Sequence, residues 1–178
     1  MPVPGSVTRQ PVFGLPYAQR PSGVFAPVAM TSDTTPAPWV ASASGEYISY
    51  AGAWAAFNAP RGAGGNGWLN AAGAQPQWIA IKLPYPFVAS CYFLYPWWSD
   101  NFPGRSPTAW TLQGSNDSGT TWMVLDTRSG VTWATNSTTL RFDVADPRPC
   151  TNYRLYISAN GGDGYTGLGS FLLNGRRF

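Results

Sequence analysis

The feature that most constrains this chain is a series of short apolar segments, separated by turn-forming residues, between residues 28 and 178. Apolar and polar side chains alternate in most of them, a period of two that is typical of half-buried β-strands. The segments are residues 78–83, 89–95, 110–115, 123–126, 140–144, 153–157 and 171–173. Gly, Pro, Asn, Asp and Ser mark turns between them, at residues 84–86, 116–119, 129–130, 146–147 and 160–164. Seven or so short strands at this spacing predict an all-β sandwich or jelly roll.

One short helix and an apolar core are expected within this pattern. Residues 50–58 are the single helical candidate, because Ala53, Trp54 and Phe57 recur at helical spacing. The inward positions of the strands predict seven buried side chains, those of Ile79, Ile81, Leu112, Leu125, Phe142, Leu155 and Ile157. We therefore expect almost no helix outside residues 50–58.

Residue types that are absent or rare in the sequence exclude several classes of enzyme. The sequence has no histidine, which removes Ser-His-Asp and Cys-His nucleophile systems, histidine-bound zinc and the commonest general base. Lys82 is the single lysine and Glu46 the single glutamate, so a Schiff-base or carboxylate-pair enzyme has few groups to use. We expect no catalytic site. Cys91 and Cys150 are too few for a disulfide framework, so we expect two buried reduced thiols, with a bridge between neighbouring strands as the alternative.

The charge pattern does not favour nucleic acid or a membrane as the partner. The formal net charge is +3, and the ten arginines are scattered singly apart from Arg176 and Arg177. No basic stripe results. No apolar run reaches the roughly 18 residues of a membrane span, and the first residues lack the apolar stretch of a signal peptide.

Residues 1–27 differ from the rest of the chain and are expected to form an extended arm. They hold six prolines, which remove backbone donors and disfavour helix. They also hold large apolar residues that a free linker would lack, and the expected anchors are Val12, Phe13, Leu15, Tyr17 and Phe25. We expect the arm to dock in a groove on another protein, with a disordered tail as the alternative, and residues 28–178 to form one domain.

Five stretches of sequence carry a resemblance to a known family. The most specific is residues 106–117, SPTAWTLQGSND. Residues 53–58 (AWAAFN) and 76–81 (PQWIAI) precede it, and residues 153–157 (YRLYI) and 171–175 (FLLNG) follow it. In this order they resemble a discoidin domain, also called a coagulation factor 5/8 type C domain, whose fold is galactose-binding-like.

The resemblance covers about residues 28–175 and implies a jelly-roll sandwich of about eight antiparallel strands, with binding loops at one end. The family binds sugars, lipid head groups or proteins and is not catalytic. Residues 31–46, 110–126 and 157–162 are similar to the subtype found in bacteriophage tail and other virion proteins. The resemblance therefore implies a virion location, in a capsid, tail or baseplate, as a homo-oligomer or in many copies.

Many members of the family hold a structural calcium ion, and this chain departs from their pattern at two positions. Asn58 stands where they have an Asp, and the last strand reads Gly169-Ser170-Phe171 without the expected Glu. Calcium prefers several oxygen ligands with carboxylates among them. We expect no cofactor, with calcium held by backbone carbonyls as the disfavoured alternative.

Residues 96–105 combine the side chains that a sugar site needs. Two adjacent tryptophans cannot both face the core from one strand, and a sugar site needs a flat apolar surface with planar polar groups. The candidate ligand or interface residues are Trp97, Trp98, Asp100, Asn101, Phe102, Arg105 and, on a second turn, Tyr165. A small-ligand site stays open beside contact with a neighbouring subunit or a lid that folds back.

Two other features have structural explanations. Trp68, in the Gly-rich stretch 61–74, is expected at the edge of the core rather than in a ligand platform. Residues 162–167 match G-x-G-x-x-G, but the dinucleotide motif needs a following helix, and here a strand follows.

Two functions are therefore predicted, neither of them enzymatic. The first is a virion structural or decoration protein, anchored to other virion proteins by its arm, whose domain binds host-surface carbohydrate. The second is a dedicated carbohydrate-binding module of a phage tail or a bacterial surface protein.

Overall fold

A computed structural model describes residues 29–58, 67–71, 73–98 and 101–178. Two 3-10 helices, Ser49–Ala51 and Ala53–Phe57, lie where the sequence predicted a helix. No helix in these ranges is long and apolar enough to cross a membrane. The strands are β1 (Val40–Ala43), β2 (Trp68–Leu69), β3 (Gln77–Pro96), β4 (Pro107–Ser115), β5 (Met123–Arg128), β6 (Leu140–Asp143), β7 (Pro149–Asn160) and β8 (Gly167–Arg177).

Several predicted residues lie outside these ranges. They are the arm, residues 1–27, with all five of its anchors, and Asp100 of the candidate ligand loop. Their roles stay predictions.

Strand β3 organises the fold because it belongs to two antiparallel arrays. Its first part, residues 77–82, pairs with β7 and β1, and β7 continues through β4 to β5. Its last part, residues 87–96, pairs with β8 and β6, and β8 continues to β2. We call these the first and second arrays. All eight strands thus form one hydrogen-bonded sheet, whereas the sequence predicted two packed sheets; the two layers are joined through β3.

The turn predicted at residues 84–86 is wrong, because β3 runs through it. Proline lacks the N–H that a strand ladder uses and is found at strand edges and irregularities. Pro84 and Pro86 fit here because the register shifts between Lys82 and Phe87. After this shift β3 has β8 in place of β1 as a neighbour, while its pairing with β7 continues to Val88 and pairing with β6 begins at Cys91.

The two arrays share one apolar core. Six predicted positions are confirmed as buried, at no more than 2% exposure: Ile79, Ile81, Leu112, Leu125, Leu155 and Ile157. Phe142 is half-buried instead, with Tyr92 stacked on it at 5.2 Å between centroids and the Arg128 guanidinium 5.3 Å from its ring. Trp68 is fully buried and its indole donates to the Gly45 carbonyl, which confirms its structural role.

Buried polar groups also tie the two arrays together. The Tyr92 hydroxyl donates to the Asp126 carboxylate at 2.7 Å and accepts from the Trp110 indole at 2.9 Å. The Arg128 Nε donates to the same carboxylate at 2.7 Å. Burial raises the pKa of Tyr92, so its hydroxyl stays protonated. The hydrogen-bond donors to the buried Asp126 carboxylate therefore come from within the fold. Cys91 and Cys150 are both buried and unbridged, as expected.

Candidate functional site

The connections that follow β3 and β7 lie side by side at one end of the molecule. This follows from the topology, since β3 pairs with β8 and β4 pairs with β7. The backbone N–H groups of Gly161, Asp163 and Gly167 donate across to carbonyls of the β3–β4 connection, at 2.8–3.2 Å. A Cβ on residue 161 would lie 2.5 Å from the Pro103 carbonyl oxygen, so the close approach requires glycine there.

Asp163 is the centre of the polar side chains at this end. Its Oδ1 accepts from the backbone N–H of Tyr165 at 2.8 Å and from the Arg105 Nε at 3.4 Å. Its Oδ2 accepts from the Asn101 amide at 2.9 Å. The side chains of Arg105 and Asp163 are only 12% and 18% exposed. Water and salt therefore screen this ion pair less than an exposed one.

Two tyrosine rings border this ion pair. The Tyr165 ring meets the Tyr47 ring edge-on, with 5.3 Å between centroids, and the Arg105 guanidinium lies 5.1 Å from the Tyr165 centroid. Tyr47 is 52% exposed and Tyr165 is half-buried. Apolar ring surface thus faces solvent beside fixed polar groups. We call five residues the loop site: Tyr47, Asn101, Arg105, Asp163 and Tyr165.

Further hydrogen bonds hold the turn that carries Asp163 and Tyr165. The Asn160 side-chain amide donates to the carbonyls of both residues, at 2.9 and 2.8 Å. The Asn160 oxygen accepts from the N–H of Gly162, whose φ of 108° favours glycine. The loop site is therefore largely preformed.

Trp97, which the sequence offered as a ligand or interface residue, lies in a small core. It is 7% exposed and packs with Ala51 and Leu69 in a small second core, against which Tyr165 also packs. The neighbouring Trp98 is half-buried, with its ring 6.3 Å from that of Trp97. The two rings are therefore not exposed side by side, and Trp97 instead supports Tyr165.

The structure brings together only part of the predicted set. Asn101, Arg105 and Tyr165 meet at the loop site, whereas Phe102 is half-buried and packs on the main core. Sequence reasoning missed Tyr47 and Asp163 as site residues. Asp163 carried a signal, because it lies in the Gly-rich turn beside Tyr165. Tyr47 carried none, because its segment is held by long-range hydrogen bonds, among them that of its backbone N–H to the Leu69 carbonyl at 2.9 Å.

The residues at the family's calcium positions do not fit a calcium ion. In the described part of the chain no three His, Cys, Asp or Glu side chains cluster. The Ser170 hydroxyl is buried and has no hydrogen-bond partner among the described residues. A hydroxyl there and an amide at Asn58 lack the carboxylate that calcium prefers.

Comparison with solved structures identifies the fold. A Clostridium perfringens module in complex with GalNAc-beta-1,3-galactose is 15% identical, with a TM-score of 0.63 over 76% of this chain and 94% of that one. Chitosan-binding module 1 from a Paenibacillus chitosanase/glucanase is 23% identical, with a TM-score of 0.61 over 83% and 97%. An F5/8 type C domain from Bacteroides fragilis is 16% identical, with a TM-score of 0.64 over 79% and 93%.

Comparison of sequences adds little to this. No protein-family model matches the chain. An Arabidopsis thaliana peptide-N(4)-(N-acetyl-beta-glucosaminyl)asparagine amidase is 37% identical over 84 residues, which are 47% of this chain and 11% of the amidase. The chain thus spans about a tenth of that relative. The solved structures confirm the predicted fold class: this chain has the discoidin-like jelly-roll fold.

Proposed function

We propose that this chain is a carbohydrate-binding domain that holds an uncharged part of a glycan at the loop site and catalyses no reaction. The observation that carries the proposal is the ion pair of Arg105 and Asp163 beside the exposed ring of Tyr47 and the half-buried ring of Tyr165. Ring faces pack against the C–H surface of a sugar, while planar polar groups hold its hydroxyls.

The hydrogen bonds at Asp163 define what the loop site offers. A carboxylate accepts about four hydrogen bonds, and from the described residues Asp163 accepts two on Oδ1 and one on Oδ2. Oδ2 is therefore able to accept from a ligand hydroxyl, next to the exposed amide of Asn101. Because Arg105 already balances the carboxylate, an uncharged sugar fits this site better than an ion does.

The solved structures of the same fold support a saccharide as the ligand. One was determined in complex with GalNAc-beta-1,3-galactose, and another is named for chitosan binding. The match to an amidase covers too little of that enzyme to favour a reaction.

The setting on a virion is a second part of the proposal. The six prolines and the apolar anchors of residues 1–27 support an arm that docks on other virion proteins. Many copies of the domain would then attach a particle to host-surface carbohydrate. A dedicated binding module of a phage tail or bacterial surface protein is the alternative.

Glycan-array screening of the full chain, followed by calorimetric titration of the best ligand, tests the loop site. We expect Tyr165→Ala to weaken binding about tenfold or more, a loss of about 1.4 kcal/mol or more, because the sugar loses an aromatic contact. Tyr47→Ala should also weaken glycan binding.

Tyr50→Ala is the matched control, because Tyr50 is 60% exposed and lies outside the loop site. Circular dichroism and urea unfolding should show an intact fold in all three variants. Absence of any glycan ligand for the wild-type chain, or an equal loss in Tyr50→Ala, would contradict the proposal.

A further inference from the structure

The first array has an outer face, opposite the core, that is rich in aromatic rings. On β7 the side chains of Tyr153, Leu155 and Ile157 are fully buried. Alternation along the strand therefore directs Arg154 and Tyr156 to the other side. Half-buried residues on the neighbouring strands pair with these two in the sheet register. Trp78 of β3 pairs with Tyr156, and Gln113 of β4 pairs with Arg154. We call Trp78, Gln113, Trp122, Arg154 and Tyr156 the outer-face cluster.

Arg154 is enclosed by three rings of this cluster. Its guanidinium carbon lies 4.2 Å from the centroid of Trp122, 5.0 Å from that of Tyr156 and 6.0 Å from that of Trp78. Trp122 is held in place by its indole N–H, which donates to the Gly119 carbonyl at 2.9 Å. The rings and the guanidinium thus form a preorganised surface.

No carboxylate of the described residues pairs with the positive charge of Arg154. Among the described residues its hydrogen bonds go to the neutral Gln113, from Nε at 2.9 Å and from Nη2 to the same oxygen. Arg154 takes part in none of the ion pairs found in those residues. A guanidinium has five N–H donors, so three are left for a ligand. Burial without a carboxylate also lowers the pKa of Arg154.

The cluster therefore has the chemistry to bind an anion attached to a ring with an apolar face. A guanidinium binds a carboxylate through two parallel hydrogen bonds. Lys82 lies on the same side of β3, two residues beyond Ala80, and is exposed, which adds a second positive charge. The centroids of Trp78 and Trp122 lie 6.0 and 4.2 Å from the Arg154 guanidinium carbon, so the two rings are at most about 10 Å apart. This length suits about two sugar units.

We propose that the outer-face cluster binds the uronic-acid units of an acidic polysaccharide, with the sugar carboxylate on Arg154 and the sugar ring on Trp122, Tyr156 or Trp78. A saccharide fits better than an acidic peptide, because this ligand surface is a sheet face with flat rings, whereas peptides bind at sheet edges or in grooves. The proposal does not depend on the loop site.

Titration of the full chain with trigalacturonic acid, followed by the indole N–H signals in NMR spectra, tests the proposal. We expect the signals of Trp122 and Trp78, assigned with Trp→Phe variants, to shift on binding. Arg154→Gln should weaken binding at least tenfold, and Arg154→Lys should restore part of it, since lysine keeps the charge but lacks the planar fork. Arg148→Gln is the matched control, because it removes the same charge at a distant exposed site.

Gln113→Glu supplies a second test that does not depend on how Arg154 variants fold. The new carboxylate would pair with Arg154 within the fold and should abolish binding of the acid. Tyr165→Ala should leave it unchanged, which separates this site from the loop site. The proposal is overturned if wild-type protein does not bind the acid, if Arg148→Gln loses as much affinity as Arg154→Gln, or if poly-glutamate binds equally well at the same indoles.

Discussion

Arg105 and Arg154 lie at similar distances from a tyrosine ring, yet their electrostatic surroundings are opposite. The Arg105 guanidinium lies 5.1 Å from the Tyr165 centroid and pairs with the carboxylate of Asp163. The Arg154 guanidinium lies 5.0 Å from the Tyr156 centroid and donates to the neutral amide of Gln113. The hydrogen-bond partner of each guanidinium, and not the tyrosine ring, therefore decides whether its positive charge is neutralised.

The two sites also differ in how the chain builds them. The loop site joins side chains from three separate connections. Backbone hydrogen bonds link the two that carry Arg105 and Asp163, and another ties Tyr47 to Leu69. The outer-face cluster follows from strand register, which places residues of β3, β7 and β4 next to one another. Changes in packing beneath the connections should therefore affect the loop site far more than the cluster.

Trp97→Ala tests this difference and should have the largest effect. Removal of a buried indole leaves a cavity in the second core, so the free energy of unfolding should fall by about 3–5 kcal/mol in urea titrations. Glycan binding at the loop site should weaken, because Tyr165 packs on that core. Binding of trigalacturonic acid should persist wherever the protein stays folded.

Tyr47→Ala is the control for that measurement. It removes a ring from the same end of the molecule, but the ring is 52% exposed, so the change in stability should be small. An equal loss of stability in both variants would show that Trp97 is not a core residue. Loss of acid binding in folded Trp97→Ala would show that the two sites are not separate.

Giving Arg105 a neutral partner and Arg154 a carboxylate should change the free energy of unfolding in opposite directions. Asp163→Asn removes a charge-assisted partner of the poorly exposed Arg105 and should lower the free energy of unfolding by about 1–2 kcal/mol. Gln113→Glu gives the half-exposed Arg154 a carboxylate and should raise it by less than about 1 kcal/mol. Thermal and urea unfolding measure both. If both changes are destabilising to the same extent, the contrast between the two arginines is not electrostatic.

Local patterns were sufficient to predict the all-β class and the position of most strands. Alternation and turn residues located all the strands except the short β1 and β2, which depend on partners distant in sequence. The prolines at 84 and 86 were misread as a turn, because a strand that changes partners and a strand that ends lose backbone hydrogen bonds in the same way.

The candidate site was only partly predictable, for the same physical reason. Asn101, Arg105 and Tyr165 lie in turns that the sequence marks clearly. Burial of Trp97 could not be predicted, because it depends on Leu69 and Ala51, which reach it through tertiary packing. The outer-face cluster was visible in part as the alternate positions of three predicted strands, but their lateral order was not known.

Acid should loosen the outer-face cluster through the turn that carries Trp122, and this is the smallest expected effect. Asp117 lies in that turn, where its carboxylate accepts from the Thr121 hydroxyl at 2.6 Å, from the Thr121 N–H and from the Ser115 hydroxyl at 2.7 Å. These hydrogen bonds lower the pKa of Asp117 well below its usual range, with the Thr121 hydroxyl contributing most. Trp122 follows directly and covers Arg154.

A carboxyl whose pKa is lower in the folded than in the unfolded state stabilises the fold above the unfolded pKa, about 4, and loses this contribution as the pH falls. Urea midpoints of the wild type should therefore exceed those of Asp117→Asn at pH 7, and the gap should narrow steadily below about pH 4. Over the same range the indole signal of Trp122 in the wild type should move toward its position in Asp117→Asn. A gap that stays constant from pH 7 to pH 2 would show that the Asp117 carboxylate does not hold this turn, and that Trp122 stays over Arg154 through its own packing.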